Sequence, residues 1–188
     1  MSMTVKKRRD DATPHVFVHK TADIRGGVSV AASELGGNYL REGAVLSAPV
    51  DGVTHVVKTG QTAAQVGQSD KAIKVKKFHN FKVGDAIMTE PGKVASAITS
   101  IDESNKAYDI LNVKTALGTI ELGGFIVEAK AEGASETVLK YEPQSVNGTG
   151  KEFDPKSNIN TDAWVIGVTI GNPVPDFLIS KMKGIINL

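Results

Sequence analysis

The chain has 188 residues, 40% of them hydrophobic but only 5% aromatic, and its 22 basic and 21 acidic side chains leave a net charge of +1. That length allows one domain or two small ones, and a balance so even excludes a global attraction to nucleic acid or to an anionic membrane. There is no cysteine, which removes disulfides and thiolate metal sites. Every apolar run falls short of the roughly 20 residues that cross a bilayer.

Residues 1–13 carry a basic cluster and then an acidic pair, with no apolar run behind them, so a solvated N-terminal arm is expected and no secretory leader. From Pro14 the pattern changes to short segments. "HVFVH" alternates with period two, placing Val16 and Val18 on one face and His15, Phe17 and His19 on the other. "GGVSVAA" follows a Gly-Gly turn. "GAVLSAPV" closes on Asp51-Gly52, a dipeptide favoured in two-residue hairpins, and "VTHVVKTG" returns, so a hairpin is expected over residues 43–59. "QTAAQVGQSD" reads as a connector.

In "KAIKVKK" Ile73 and Val75 alternate with lysines, which predicts a strand with one dry and one wet face. The Gly-Asp step of "FKVGDAIMT" predicts a bulge or a sharp strand entry. "KVASAITSID", "YDILNV" and "GGFIVEAK" continue a series of short strands at about ten-residue spacing, the pattern of a small barrel or sandwich. Thr137 to Tyr141 reads as another strand and 144–162 as a long loop. "AWVIGVTIG", with the single tryptophan Trp164, is the most strand-like run. "DFLISKMKG" predicts a short helix near 175–183, capped by Asp176 and ended by Gly184, with Ile185 to Leu188 as a last strand.

Few residues suggest chemistry. Asp102, Glu103 and Asp109 crowd the segment "DESNKAYD", yet a calcium loop beginning at Asp102 would put Lys106 at a ligand position and lacks the central glycine. Apolar alternation on both sides makes it a hairpin tip, where Asp102, Ser104 and Asn105 bond their own backbone. His15, His19, His55 and His79 lie singly on predicted strands, and two imidazoles make half a zinc site. Lys71, Lys74, Lys76 and Lys77, with Phe78 and Phe81 nearby, look superficially like a nucleic-acid surface, but lysines on alternate strand positions also blunt a sheet edge. No nucleophile elbow, phosphate loop, dinucleotide fingerprint or zinc-protease motif is present. The residues therefore nominate no catalytic, cofactor-binding or metal-ligating group.

Three stretches together carry a resemblance: "NYLREGAVLSAPVDGVTHVVKTG", "FKVGDAIMTEPGKVASAITSIDESNKAYDILNVKTALG" and "WVIGVTIGNPVPDFLISKMKGIINL". Their order of hairpin, Gly-Asp step, polar turn, closing strand and Pro-rich turn resembles bacteriophage head-fibre and capsid-decoration proteins over residues 36 to 188. The chain lacks the repetitive shaft of the fibres, which leaves a capsid-binding, head-surface role. The resemblance implies a virion structural protein, made in the host cytoplasm, commonly a homotrimer, with capsid protein as partner and no catalytic or cofactor residues. A module binding host-surface glycans on the same scaffold is the alternative, and a small hydrolase a more remote one. The expected architecture is mainly β, in small barrel or sandwich units with one short C-terminal helix: a main β unit from 14–69 and 132–188, and a barrel-like subdomain over 70–131.

Overall fold

The computed structural model describes residues 15–188, and the arm expected at 1–13 lies outside the described residues. The first strands are β1 (Phe17–Asp23), β2 (Val28–Val30), β3 (Tyr39–Leu40), β4 (Val45–Ser47) and β5 (Thr59–Gln61), with a single 3₁₀ turn at Ala32–Glu34 between β2 and β3. The hairpin expected at 43–59 forms. Its turn sits on Asp51 and Gly52, both with positive φ (50° and 80°), as the tightest hairpin turns require. Val50 and Val53 pair across that turn, and Leu46 meets Val56 further down.

The middle of the chain supplies β6 (Ala72–Lys76), β7 (Ala86–Met88), β8 (Ala95–Asp102), β9 (Tyr108–Val113) and β10 (Phe125–Ala129). Ile73 and Val75 are buried while the lysines between them stand in solvent, so the alternation reads out as expected. The Gly-Asp step is a turn into β7: Gly84 has a φ of 96°, and the Asp85 carboxylate accepts from the Lys82 N–H at 2.7 Å.

The last elements are β11 (Pro143–Asn147), β12 (Lys151–Glu152), β13 (Ile159–Thr161), β14 (Ala163–Thr169), α1 (Asp176–Ile179) and β15 (Ile185–Asn187). Three local expectations are corrected here. Thr137 to Tyr141 makes one bridge, Leu139 to Ala129, and no strand. The segment 144–162 is not a loop, because its backbone is claimed by distant partners: β12 pairs with β3 and β13 with β2. The helix is shorter than expected, and Asp176 is its first residue rather than its cap. Pro175 takes the cap position with an extended backbone and no side-chain hydrogen bond.

The fold is mainly β. One sheet runs β1-β14-β11-β4, with β15 added parallel to β14. A six-stranded antiparallel sheet runs β5-β10-β7-β8-β9-β6. It draws in Thr59–Gln61, which precede the boundary expected at residue 70, and a bridge from Thr62 to Val75 brings its two ends together. Ile73, Val75, Phe81, Ile98, Leu111 and Ile126 fill this curled sheet. A second core lies between the sheets, where Val57, Met88 and Val127 meet Val146, Leu178 and Ile185. The helix is held by that core: Leu178 is fully buried in it. Little helix is present, so far-ultraviolet circular dichroism should show far less than the third of residues usual in globular proteins.

Candidate functional site

The acidic tip "DESNKAYD" caps the β8–β9 hairpin. Asp102 accepts the Ser104 N–H at 2.9 Å and Asn105 accepts the Ala107 N–H at 2.8 Å, the self-bonding expected of turn formers. Asp109 leaves this group altogether. It lies inside β9, buried, with its carboxylate on Lys77 and 3.2 Å from His79 Nε2. Among the described residues no three His, Asp or Glu side chains are grouped so as to hold a metal ion. Calorimetric titration with calcium should give no micromolar binding, and Asp102→Ala should leave the trace unchanged.

The four histidines do not converge. His19 is exposed on β1. His15 donates from Nδ1 to the Glu42 carboxylate at 2.8 Å. His55 reaches Glu34 at 3.1 Å and stacks on Tyr141, with ring centroids 4.2 Å apart. His79 is buried, and its Nδ1 accepts the Phe81 N–H at 3.0 Å. That bond assigns the proton of the neutral ring to Nε2, facing Asp109. Nε2 lies 3.2 Å from the Asp109 carboxylate, an electrostatic contact. Burial lowers the His79 pKa, and the Asp109 charge opposes that shift without reversing it.

Glu42 fastens the first strand. Burial by itself would raise its pKa. Hydrogen bonds from the Phe17 N–H, His15 and the Val16 N–H outweigh burial and hold it below the ordinary 4.5. A carboxylate whose folded pKa is depressed adds stability above its unfolded pKa and loses it as pH falls through the folded one. Glu42→Gln should therefore flatten the loss of stability below about pH 4.5, as measured by denaturant titration across pH.

A recess of about 600 Å³ opens where the two sheets meet, walled by Val16, Phe78, Tyr108, Leu122 and Pro173, with Arg41 lining it. Phe78 is held out by a left-handed backbone (φ 68°) and packs edge-on against Tyr39. Arg41 bonds only neutral acceptors, among them Asn172 Oδ1 at 2.7 Å and Thr59 Oγ1 at 3.4 Å. It has no carboxylate partner among the described residues, and burial of the guanidinium brings its pKa down to about 10. Lys76 and Lys77 sit on the rim. Of the sequence candidates, Phe81 is not exposed beside those lysines. It is buried in the core of the six-stranded sheet.

Several exposed apolar side chains lie elsewhere, on the β1–β14–β15 sheet. Val18, Ile166, Ile170, Ile186 and Leu188 are between 47 and 71% exposed. Period two places Ile166, Val168 and Ile170 on one side of β14. Ile186 stands beside Val168 in the parallel register, and Leu188 follows two residues on. The nearby Lys20 is already engaged, 3.9 Å from Asp162 and over the rings of Phe17 and Trp164. Trp164 itself donates its indole N–H to Asp162 at 2.7 Å.

Sequence reasoning missed one further cluster. Lys58 is 1% exposed and lies between Asp85 and Glu128. Glu128 continues to Lys140 at 2.9 Å, and Lys140 lies 3.9 Å from Glu34. Glu34 in turn accepts from Tyr141, whose hydroxyl is raised to about 12 by burial and this bond. No local spacing signals this chain of charges, because its members come from strands far apart in sequence. Among the described residues no helix is long and apolar enough to cross a membrane. Compared with protein families, characterised proteins and solved structures, the chain matches none.

Proposed function

We propose that this chain is a virion structural protein of the head-fibre or capsid-decoration kind, which packs against copies of itself and binds the capsid. The observation that carries the reading is the set of exposed apolar side chains on β1, β14 and β15. Contiguous apolar exposure of this sort marks an interaction surface. In a closed threefold ring the contacts are heterologous, so this face of each copy would meet a different surface of its neighbour. A homotrimer closed about a threefold axis would cover Ile166, Ile170 and Ile186 and leave the recess free. The short, turn-linked strands suit a structural role. Cosedimentation tests capsid binding: the purified chain should pellet with capsids of the phage that encodes it. A chain that stays in the supernatant at micromolar concentration contradicts the capsid half of this reading.

The recess favours one second reading, a host-surface glycan ligand. Phe78 and Tyr108 offer rings for stacking on sugar, and Arg41, Thr59 and Gln61 offer donors and acceptors beside them. Glycan-array binding that disappears in Phe78→Ala supports it, and a blank array removes it.

A further inference from the structure

Lys58, Glu128 and Asp85 belong to three adjacent strands. Lys58 directly precedes β5, Glu128 lies in β10, and Asp85 directly precedes β7, while β10 pairs with β5 on one side and β7 on the other. Lys58 Nζ is 2.6 Å from Asp85 Oδ2 and 3.3 Å from Glu128 Oε1. Lys58 and Glu128 are 1% and 2% exposed, so water is nearly absent around the ammonium. A buried lysine between two carboxyl groups is costly as a mere ion pair, because desolvation consumes most of the attraction. One atom also stands out: Glu128 Oε2 is buried without a hydrogen-bond partner. Burial, ahead of every opposing charge, raises the pKa of that carboxyl, as needed for a group that holds a proton and passes it on.

We propose that Lys58 and Asp85 join in an intramolecular amide bond, with Glu128 as the proton carrier. Lys58 first gives up a proton to the adjoining carboxyl pair and becomes a free amine. Its Nζ lone pair attacks Asp85 Cγ, and an N–C bond forms. Glu128 takes a proton from that nitrogen and delivers it to an Asp85 oxygen. The C–O bond then breaks and the oxygen leaves as water. The sum is one ammonium and one carboxylate giving one neutral amide and one water. Charge balances, Glu128 ends as it began, and nothing is oxidised or reduced. The fold supplies what the reaction needs: the reactants held in contact and water excluded. The product closes the 27-residue separation between Lys58 and Asp85 and ties β5 to β7 across β10. Such a tie constrains the unfolded chain much as a disulfide does, in a protein that has no cysteine. The inference stands apart from the virion reading, since it rests on this trio alone.

Intact-mass spectrometry of the denatured full chain tests it directly. The expected mass, after allowing for removal of Met1, is one water below that of the sequence, and proteolysis should release one branched peptide joining Lys58 to Asp85. Lys58→Arg keeps the charge but cannot make this bond, so it should return the full sequence mass. Glu128→Ala should do the same. Wild-type chain at the full sequence mass overturns the proposal whether or not the variants fold, and so does a water deficit that persists in Lys58→Arg or maps to another pair. A joined pair of Lys140 and Glu128, which also touch, overturns the assignment of the nucleophile.

Discussion

Phe81→Ala should lower stability by about 3–5 kcal/mol, the range for truncating a buried phenylalanine. Phe81 is 2% exposed and does several things at once. Its ring fills the six-stranded sheet beside Ile73 and Val75 and stacks on His79, with centroids 5.3 Å apart. Its backbone N–H fixes the His79 tautomer. Its carbonyl packs so close to Gly36 that a Cβ there would lie 2.1 Å away. Denaturant unfolding should show a lower midpoint with an unchanged slope. Gly36→Ala should also destabilise, since the atom it meets is backbone and cannot swing aside. A loss below about 1 kcal/mol for Phe81→Ala would mean the connector from β6 to β7 repacks, against the close packing usual in cores.

The double variant Ile166→Lys/Ile186→Lys should dissociate the assembly without harming the fold. Each isoleucine buried at a contact is worth about 1.5–3 kcal/mol, and each tenfold change in affinity about 1.4 kcal/mol. The concentration at which copies separate should therefore rise by at least about tenfold. Both side chains are 47% exposed or more in the single chain, so the melting of the monomer should change little, within about 0.5 kcal/mol. Sedimentation velocity across a dilution series reads the first effect and calorimetry the second. Wild-type Trp164 fluorescence should shift with dilution before unfolding if the contact reaches β14, because its indole sits on that strand.

Much of the fold was legible where the signal is local. Asp51-Gly52 specifies its own turn through positive φ, and Ile73 and Val75 declare a dry face by alternation. The "DESNKAYD" tip follows from side chains that bond their neighbours. Partners distant in sequence were not legible. Lys151–Glu152 and Ile159–Thr161 are polar and turn-rich, and they become strands only because β3 and β2 offer them an edge. Pro175 shortens the helix from the position that Asp176 was expected to fill. At the candidate sites the contrast is the same. "AWVIGVTIG" was legible as the most strand-like run, but the parallel pairing that sets Ile186 and Leu188 beside it leaves no local trace. Lys58 and Glu128 are 70 residues apart and carry no motif. His79 reads in the sequence only as a lone histidine on a strand, and burial against Asp109 comes from the fold around it.

The central claim is that the β1–β14–β15 face packs on copies of the same chain. Multi-angle light scattering of the wild-type protein at micromolar concentration measures this most directly. The account predicts a single species at three times the chain mass of 19.9 kDa, falling to one chain mass in Ile166→Lys/Ile186→Lys. A wild-type species at 19.9 kDa would contradict it.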